Sequence, residues 1–542
     1  MKTVRNKSAR NAARPIVQSD QQLPRRCPPF GRMAVGIAAG MALTALLACG
    51  TAAARTITVA VATGFTTLDP YDAGDALSRN VAKSFYEGLY AFNDKLEPQP
   101  QLAESYEVSE NGLEYVFKLR EGVKFHDGTE FDAQAVKVNF DRVLDPKNAL
   151  SRRTFFGFID RVEVLDKYRV KFILKTPMSA FISRLANGTG QMICPSAIKK
   201  LGSDGLAHNA CGTGPYVLKE FNPSERLVVE KNPNYRIAGL PKLDGIRWLP
   251  VPENSTRAQM VLTGEADYVH AMPPELMGRV NESDQAVAIV KPSIQQRYLA
   301  INTLAEPLND LRVRQAIAYA INKDAFCKVV YGGFSRPATG VQPPEVPGGL
   351  KLGPWPYDPK KARELLKEAG YPNGFRTQIW AAFNTSTNAK AVQFLQQQLR
   401  QVGIQAETRV LESGQRVSLV DSHPDPKTAP VRLYLIGWSN STAEPDWGIR
   451  PLFDSREVPP KLGNTSYYNN PAMDAALDRG MAETDLEKRL AAYGEAQKMI
   501  WNDVPAVFLT YENNLAAVNR HLKNFRPMLD STFEFYEAYW QE

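Results

Sequence analysis

The sequence predicts an α/β protein in which an antiparallel α+β subdomain precedes a second α/β lobe. Three observations carry this prediction. A strand, a Gly/Thr turn and a helix open the segment after residue 55, residues 103–175 alternate with period two, and helices alternate with strands from about residue 305. Period-two alternation is typical of half-buried antiparallel strands, and alternating helices and strands are typical of layered α/β folds. The length of 542 residues leaves room for several structural units.

The first predicted strand, Thr56–Val61, leads into a turn at Gly64–Pro70. The helix expected after this turn would carry Val81, Phe85 and Leu89 on one face. A strand followed by a Gly/Thr loop presents backbone N–H donors at the carboxyl end of the strand, where ligand sites of α/β proteins commonly lie. We therefore expect this loop to contribute to a binding site.

The α+β subdomain is predicted from runs that alternate apolar and polar residues. Such runs occupy 113–119, 162–165 and 170–174, and Asp132 can cap a helix between them. In the second lobe, Asp358-Pro359 supplies a helix N-cap and a first-turn proline. Further elements of this lobe are expected as a helix from Thr387 or Asn388 and as strands at Ile404–Val410 and Val431–Ile436.

The excess of positive charge lies in the first 54 residues. They hold eight Lys/Arg and one acidic residue, so 57 basic and 57 acidic residues remain in 55–542. A body without net charge and without a basic cluster lacks the surface that neutralises nucleic-acid phosphates. We therefore expect no nucleic-acid partner.

The same 54 residues have the order of a secretory signal peptide. A basic region ends at Arg32, an apolar run extends over 33–47, and small residues continue to Ala54. Such a run is too short to span a bilayer comfortably and has the length of the apolar region of a signal peptide. We predict a periplasmic protein cleaved near Ala54. Acylation of Cys49, which would anchor the protein to a membrane, is the alternative.

Motifs for catalysis and metal binding are missing from the sequence. The five His residues are isolated, Cys and His do not cluster, and there is no HExxH, GxSxG, P-loop or dinucleotide-binding GxGxxG unit. We expect neither an enzyme nor a metal or other cofactor. Among the Cys residues beyond the leader, the spacing favours a disulfide between Cys194 and Cys211, with Cys327 as a buried thiol.

Ordered motifs throughout 55–542 resemble the peptide/nickel class, family 5, of extracytoplasmic solute-binding proteins of ABC importers. The most specific of them is the stretch Phe117–Gly128, FKLREGVKFHDG. The others are Asp69-Pro70, Tyr86–Leu89, Leu102–Tyr106, Gly212–Tyr216, Arg312–Ile317, Asp358–Ala362 and Glu368–Phe375. Within this class the chain is most similar to the glutathione-binding branch, through Leu77–Tyr86, Gln296–Tyr298, Pro337–Val341 and Gly437–Ser439 with Glu444, Asp446 and Trp447.

The resemblance implies the type II periplasmic-binding-protein fold, an α/β fold of two lobes with an extra α+β subdomain in the first. Two short crossing strands, near Tyr298–Asn302 and Val507–Tyr511, would join the lobes. The implied boundaries are a signal peptide at 1–54, a first lobe at 55–100, 213–299 and 506–542, an inserted subdomain at 101–212, and a second lobe at 300–505.

The resemblance also implies a monomeric protein that captures glutathione, or a related short peptide, and delivers it to the transmembrane subunits of an ABC permease. Such a ligand needs donors for its carboxylates, an acceptor for its ammonium group and an apolar wall. The candidate residues are Phe65, Thr66 and Thr67 in the first loop, the cations Arg79 and Arg297, the indoles Trp380 and Trp438, the neutral donor Asn384, and Ser441, Glu444 and Asp446.

Ser441 distinguishes this chain from the dipeptide binders of the family, in which the matching position is an Asp that accepts the peptide α-ammonium. A hydroxyl cannot replace the charge-assisted bond of a carboxylate. Glu444 or Asp446 would instead hold an ammonium placed further along, as in a γ-glutamyl group. A dipeptide, oligopeptide, nickel or haem binder of the same family is the alternative, and an exported hydrolase that uses Ser439 or Ser441 is a second one.

Overall fold

The computed structural model describes residues 55–542 apart from Asn384, Pro424, Pro426 and Leu462. The predictions of a signal peptide at 1–54, of cleavage near Ala54 and of acylation at Cys49 therefore lie outside the described residues. Among the helices of the described part, none combines the length and the apolar character that a bilayer crossing requires.

The secondary structure of the described part alternates between helices and strands over most of its length. The helices are α1 (Ala76–Ala82), α2 (Ala133–Leu144), α3 (Phe181–Ala186), α4 (Pro195–Leu206), α5 (Asn254–Thr263), α6 (Met277–Asn281), α7 (Leu311–Ala320), α8 (Lys323–Tyr331), α9 (Pro359–Glu368), α10 (Ser386–Arg400), α11 (Ser413–Arg416), α12 (Pro445–Phe453), α13 (Pro471–Ala482) and α14 (Leu486–Asp503). The strands are β1 (Thr56–Val61), β2 (Tyr90–Phe92), β3 (Pro98–Pro100), β4 (Ala103–Val108), β5 (Glu114–Leu119), β6 (Ile159–Asp166), β7 (Arg169–Leu174), β8 (Tyr216–Asn222), β9 (Arg226–Lys231), β10 (Gly245–Pro250), β11 (Tyr268–His270), β12 (Ala286–Ile301), β13 (Ser335–Pro337), β14 (Arg376–Ala381), β15 (Gln405–Val410), β16 (Leu433–Ser439), β17 (Ala506–Asn519), β18 (Leu522–Lys523), β19 (Arg526–Pro527), β20 (Phe533–Glu534) and β21 (Tyr539–Trp540).

Most of the long strands form one continuous sheet, in the order β15-β14-β16-β12-β17-β11-β1-β10-β9-β8, with β13 beside β17. At one end β14 is parallel to both β15 and β16, and at the other end β1 is parallel to both β10 and β11. We call the part of the molecule around β1 lobe 1 and the part around β14 lobe 2. The α/β class predicted from the sequence is confirmed.

The strands β12 and β17 run through both lobes. They are sixteen and fourteen residues long and pair with each other over almost their whole length. In lobe 1 β17 also pairs with β11, whereas in lobe 2 β12 also pairs with β16. The register of the pairing shifts between Pro292 and Gln296, where the two strands pass from lobe 1 into lobe 2. The expectation of short crossing strands is wrong, because each of these strands is a full member of the sheet in both lobes.

The strands β4, β5, β7 and β6 form a separate antiparallel sheet, which α2 covers. On β5 the alternation predicted from the sequence is present, since Tyr115, Phe117 and Leu119 are buried while their neighbours are more exposed. The predicted cap of α2 is also present: the Ala135 N–H donates to the Asp132 carboxylate at 2.8 Å. These elements make up the subdomain of lobe 1.

The helix α1 is shorter than the sequence suggested. Phe85 and Leu89 are buried, but they lie beyond the end of the helix. The chain leaves the helix because the carbonyls of Ser84 and Phe85 accept hydrogen bonds from the N–H groups of Tyr216 (2.9 Å) and Gly214 (2.8 Å). A Cβ atom at Gly214 would lie 2.4 Å from the Phe85 carbonyl carbon, so only glycine allows this close approach.

Cys194 and Cys211 form a disulfide, the pairing that their spacing favoured. Their Cα atoms are 5.4 Å apart, and the Cys194 N–H donates to the Cys211 carbonyl at 2.9 Å. The bond joins the start of α4 to the segment that precedes β8. Cys327 is a buried free thiol in α8.

Candidate functional site

Two of the predicted ligand-binding residues, Arg297 and Trp438, lie on adjacent strands where β12 meets β16. Arg297 is opposite Gly437 in the register, and Gln296 is opposite Trp438. Trp438 is half-buried, and its indole N–H donates to the Trp447 carbonyl at 2.9 Å. Since paired residues of neighbouring strands share a face and successive residues alternate, Arg297 and Trp438 project from opposite faces of the sheet.

The guanidinium of Arg297 is held by an acid on the other crossing strand. Its Nε donates to Glu512 Oε1, and the Tyr331 hydroxyl donates to the same oxygen at 3.1 Å. Burial lowers the pKa of Arg297, but the Glu512 carboxylate outweighs burial and leaves that pKa above its ordinary value. The Tyr331 hydroxyl is a second neighbour of the guanidinium and also raises this pKa. The residue therefore stays charged and retains donors that a carboxylate can accept.

Gly437 provides the space that Arg297 occupies. A Cβ atom at this position would lie 2.6 Å from Gln295 Nε2 and 2.8 Å from Arg297 Nη1. Atoms of real side chains do not approach so closely, so any larger residue would displace the guanidinium. The glycine of the Gly-Trp pair therefore provides an open position for a cation.

The loop after β1 is tied to the start of α1. The Thr66 N–H donates to Ser78 Oγ at 2.9 Å, and the Thr66 hydroxyl donates to Asp75 Oδ2 at 2.5 Å. Burial raises the pKa of Asp75, but the hydrogen bonds from Thr66 and Ser78 outweigh it and hold that pKa below its usual value. The Phe65 ring is buried in lobe 1, 6.3 Å from the Trp248 ring. The side chains of this loop are thus largely committed to lobe 1.

A buried ion pair anchors the same loop to the subdomain. The Thr67 hydroxyl accepts from the Asp69 N–H at 3.1 Å, and Arg142 of α2 donates to both carboxylate oxygens of Asp69, at 2.5 and 3.3 Å. The two side chains are only 1% and 6% exposed. Arg142 also donates to Ser203 Oγ at 3.0 Å. Two elements of lobe 1 are therefore locked together beside the loop.

Arg79 lies on α1 and is connected to the crossing strands through the C-terminal segment. Burial lowers its pKa, and the nearby Asp530 carboxylate only partly opposes this. The residue before Asp530, Leu529, accepts a hydrogen bond through its carbonyl from the Ile294 N–H of β12 at 2.9 Å. Arg79 thus belongs to lobe 1 and Arg297 to the strands that both lobes share.

The segment between β16 and α12 contacts the subdomain of lobe 1. The Ser441 carbonyl accepts from Asn187 Nδ2, and Glu444 Oε1 accepts from Ser183 Oγ at 2.9 Å. On the other side, Arg489 Nη2 lies 3.6 Å from Glu444 Oε2. Burial raises the pKa of Glu444, and the Arg489 cation reduces this shift without cancelling it. Ser441 and Glu444 therefore lie where the two lobes meet.

Asp446 and Trp380 are committed to the interior of lobe 2. Asp446 accepts from Arg450 Nε at 2.8 Å and from the Tyr493 hydroxyl at 3.3 Å. Burial raises the pKa of Asp446 despite the Arg450 cation. Trp380 of β14 is 6% exposed, with the Arg409 guanidinium 5.7 Å from its ring centre. Asn384 lies outside the described residues. A role of these residues in ligand binding stays a prediction.

Sequence reasoning missed Glu512 and Phe383. Glu512 directly follows the predicted crossing strand Val507–Tyr511, and an acid at that position was the available signal. Phe383 is 41% exposed just beyond the carboxyl end of β14, and the Arg416 guanidinium lies 5.0 Å from its ring centre. Since Trp438 lies near the carboxyl end of the parallel strand β16, both aromatic residues are at the edge where α/β sheets bind ligands.

The described residues offer little to a metal ion. Their one group with suitable spacing comprises Asp127, Cys194 and Cys211. The two sulfurs form the disulfide and cannot act as thiolate ligands.

A protein family and several known proteins are similar to this chain. The family model "Bacterial extracellular solute-binding proteins, family 5 Middle" matches residues 97–459. Glutathione-binding protein GsiB of Pectobacterium atrosepticum is 44% identical over 502 residues, which cover 93% of this chain and 97% of that protein. The GsiB protein of Escherichia coli O1:K1 / APEC is 45% identical over 508 residues, which cover 94% of this chain and 98% of that protein.

A solved structure has the same architecture. The ABC transporter-associated periplasmic binding protein DppA from Helicobacter pylori, in complex with peptide STSA, is 28% identical and superposes with a TM-score of 0.77. The match covers 90% of this chain and 98% of that chain. The resemblance of the sequence motifs and the two-lobe type II fold that they implied are confirmed. The chain belongs to the bacterial extracellular solute-binding proteins of family 5.

Proposed function

We propose that this chain is the substrate-binding component of an ABC importer and captures glutathione, or a related short peptide, between its lobes. The two GsiB relatives, named as glutathione-binding proteins, share 44% and 45% of their residues with it over more than nine tenths of the chain. The peptide in the solved DppA complex supports a short peptide as the related ligand. The ligand would then pass to the transmembrane subunits of a permease.

The ion pair of Arg297 with Glu512 on the two crossing strands is the structural observation that carries the proposal. Glutathione has two carboxylates and one ammonium group at neutral pH. Arg297 offers a fork of donors to a carboxylate, Glu512 offers an acceptor beside it, and Trp438 offers an apolar wall. Glu444, Asp446 and Glu512 each face a protein cation, and Glu512 joins the other two as a candidate acceptor for the ammonium group.

Capture in this proposal is a shift between conformations without covalent change. A ligand that contacts both lobes gains its full set of contacts only when they close, so it stabilises the closed form. The contacts of Ser441 and Glu444 with the subdomain are the protein's own contribution to that form. The permease would recognise the closed shape and receive the ligand intact.

Isothermal titration calorimetry at pH 7 tests the ligand. We expect saturable heat with glutathione and none with Ala-Ala, because Ser441 lacks the charge that an α-ammonium requires. Mass spectrometry of the recovered ligand should show unchanged glutathione. Heat with Ala-Ala alone would favour the dipeptide alternative, cleaved glutathione would favour a hydrolase, and the absence of heat with either ligand would overturn the proposal.

We further propose that residues 1–54 are a signal peptide and that the mature protein begins at Arg55 in the periplasm. The family consists of extracellular proteins, which supports export. The intact mass of the protein isolated from an exporting bacterial host should equal that of 55–542. A chain that begins at a lipid-modified Cys49 would instead establish the anchored alternative.

A further inference from the structure

Lobe 1 contains a cavity that is separate from the crossing strands. Its volume is about 210 Å³, and its walls come from the segment between α1 and β3, from β10 and from the segment Arg526–Tyr536. None of the described residues predicted to bind the importer ligand lines it. The mouth lies at β2 and β3, where Ala91 is half-buried and Gln99 is exposed. This cavity therefore has its own route to solvent.

Aromatic rings make up much of the cavity wall. Nine aromatic residues of the described chain line it, among them Trp248, Phe533 and Phe535, which are each at least 97% buried. The Trp248 ring centre lies 5.6 Å from that of Phe533 and 6.0 Å from that of Phe535. Such walls favour a flat apolar body over a flexible polar chain.

Buried polar groups of this wall lack protein partners. Asn80 Nδ2, Trp248 Nε1 and Arg526 Nε have no hydrogen-bond acceptor within the described part of the chain. Gln191 Oε1, a buried acceptor in the same wall, likewise has no hydrogen-bond donor within the described part of the chain. Buried polar groups of folded proteins are nearly always paired, so this concentration of donors indicates a ligand with acceptor atoms.

The charged side chains of the cavity wall form ion pairs. Glu534 has two cationic partners, with Lys83 Nζ at 3.2 Å and Arg526 Nη2 at 2.6 Å from its oxygens. Glu87, the other acid of the wall, is matched by Arg236 alone, at 2.8 Å. Among the lining residues three cations face two carboxylates, and the Glu537 carboxylate also lies near Arg526.

We propose that this cavity is a second binding site, for a small aromatic carboxylate. The carboxylate would accept hydrogen bonds from Arg526 and Asn80, and the ring would pack between Trp248 and the neighbouring phenyl groups. A cavity of about 150 Å³ suffices to bind benzene, so the volume of about 210 Å³ suits a molecule of the size of benzoate. The site would act independently of the importer ligand, because different residues form it.

Benzoate, benzyl alcohol and benzamidinium test the proposal, since they share a ring and differ in charge. Saturation-transfer NMR and equilibrium dialysis with the protein of residues 55–542 should show benzoate bound at least tenfold more tightly than the other two. Equal binding of all three, or tighter binding of benzamidinium, would overturn the proposal. A crystal structure with benzoate that shows only water in the cavity would also overturn it.

Two variants locate the binding. Ala91→Phe should fill the mouth and reduce benzoate binding at least tenfold, whereas Ala91→Ser should leave it within twofold of the parent. Arg526→Gln should also weaken benzoate at least tenfold and abolish the preference over benzyl alcohol. Because Arg526 pairs with Glu534, the fold of Arg526→Gln is checked by circular dichroism. The binding result for this variant counts only if its spectrum matches that of the parent. If the spectra differ, the Ala91→Phe result alone tests the site. Benzoate binding unchanged by Ala91→Phe would place it elsewhere and refute the site.

Discussion

Replacing Arg297 with Gln is expected to weaken glutathione binding about 100-fold, which corresponds to about 3 kcal/mol. The guanidinium is oriented by Glu512, with the Tyr331 hydroxyl as a further neighbour. A neutral amide can neither form two parallel charge-assisted bonds to a carboxylate nor compensate the charge of Glu512. Calorimetry with purified Arg297→Gln protein measures the change in the dissociation constant.

Matched variants separate this effect from a general loss of charge. Arg312→Gln removes an exposed cation that pairs with Asp310 on lobe 2, and it should bind glutathione as the parent does. Arg297→Lys keeps the charge but cannot form two parallel hydrogen bonds to a carboxylate. Its affinity for glutathione should lie between those of Arg297→Gln and the parent protein. Gly437→Ala should weaken binding without removing any charge, because its Cβ would push the guanidinium aside. An Arg297→Gln protein that binds within twofold of the parent would remove Arg297 from the site.

Replacing Asp69 with Asn is expected to destabilise the protein by about 3–5 kcal/mol, the cost typical of breaking a buried ion pair. The substitution leaves the buried Arg142 guanidinium of α2 without its counter-charge. The loop after β1 would also lose its anchor on the subdomain. Urea unfolding of the variant and of the parent, followed by circular dichroism, measures the difference in the free energy of unfolding.

Two further variants test the mechanism of this loss. Asp310→Asn breaks an exposed pair with Arg312 and should cost less than about 1 kcal/mol. The double variant Asp69→Leu with Arg142→Met replaces both charges by apolar groups and should recover most of the lost stability, because no unpaired charge remains buried. If Asp69→Asn is no less stable than Asp310→Asn, the pair does not hold the loop.

Local signals in the sequence predicted several elements well, because their causes are local. Asp358 caps α9 through bonds to the N–H groups of Lys360 and Lys361, as its place before a proline indicated. The strand predicted at Val431–Ile436 is present as β16, but it continues to Ser439. The additional residues are strand because they pair with β12, more than 130 positions away in the sequence. Such pairing leaves no trace in a local pattern.

In the candidate site, too, contacts between residues close in sequence were predictable and contacts between distant residues were not. That Arg297 lies opposite Gly437 depends on the register of β12 against β16, which the sequence alone does not give. The pairing of Asp446 with Arg450, in contrast, was accessible, because the two residues are four positions apart on one helix. The Arg142 partner of Asp69 lies 73 positions away on α2, and only the folded subdomain brings the two together.

The crossing strands also bear on how relatives of this protein can diverge. Their connection between the lobes consists of main-chain hydrogen bonds along β12 and β17, interrupted by the shift between Pro292 and Gln296. Backbone ladders do not depend on which side chains border them. If Ser441 borders the ligand as proposed, a substitution there can change the ligand that is recognised while the backbone pairing of β12 with β17 is kept.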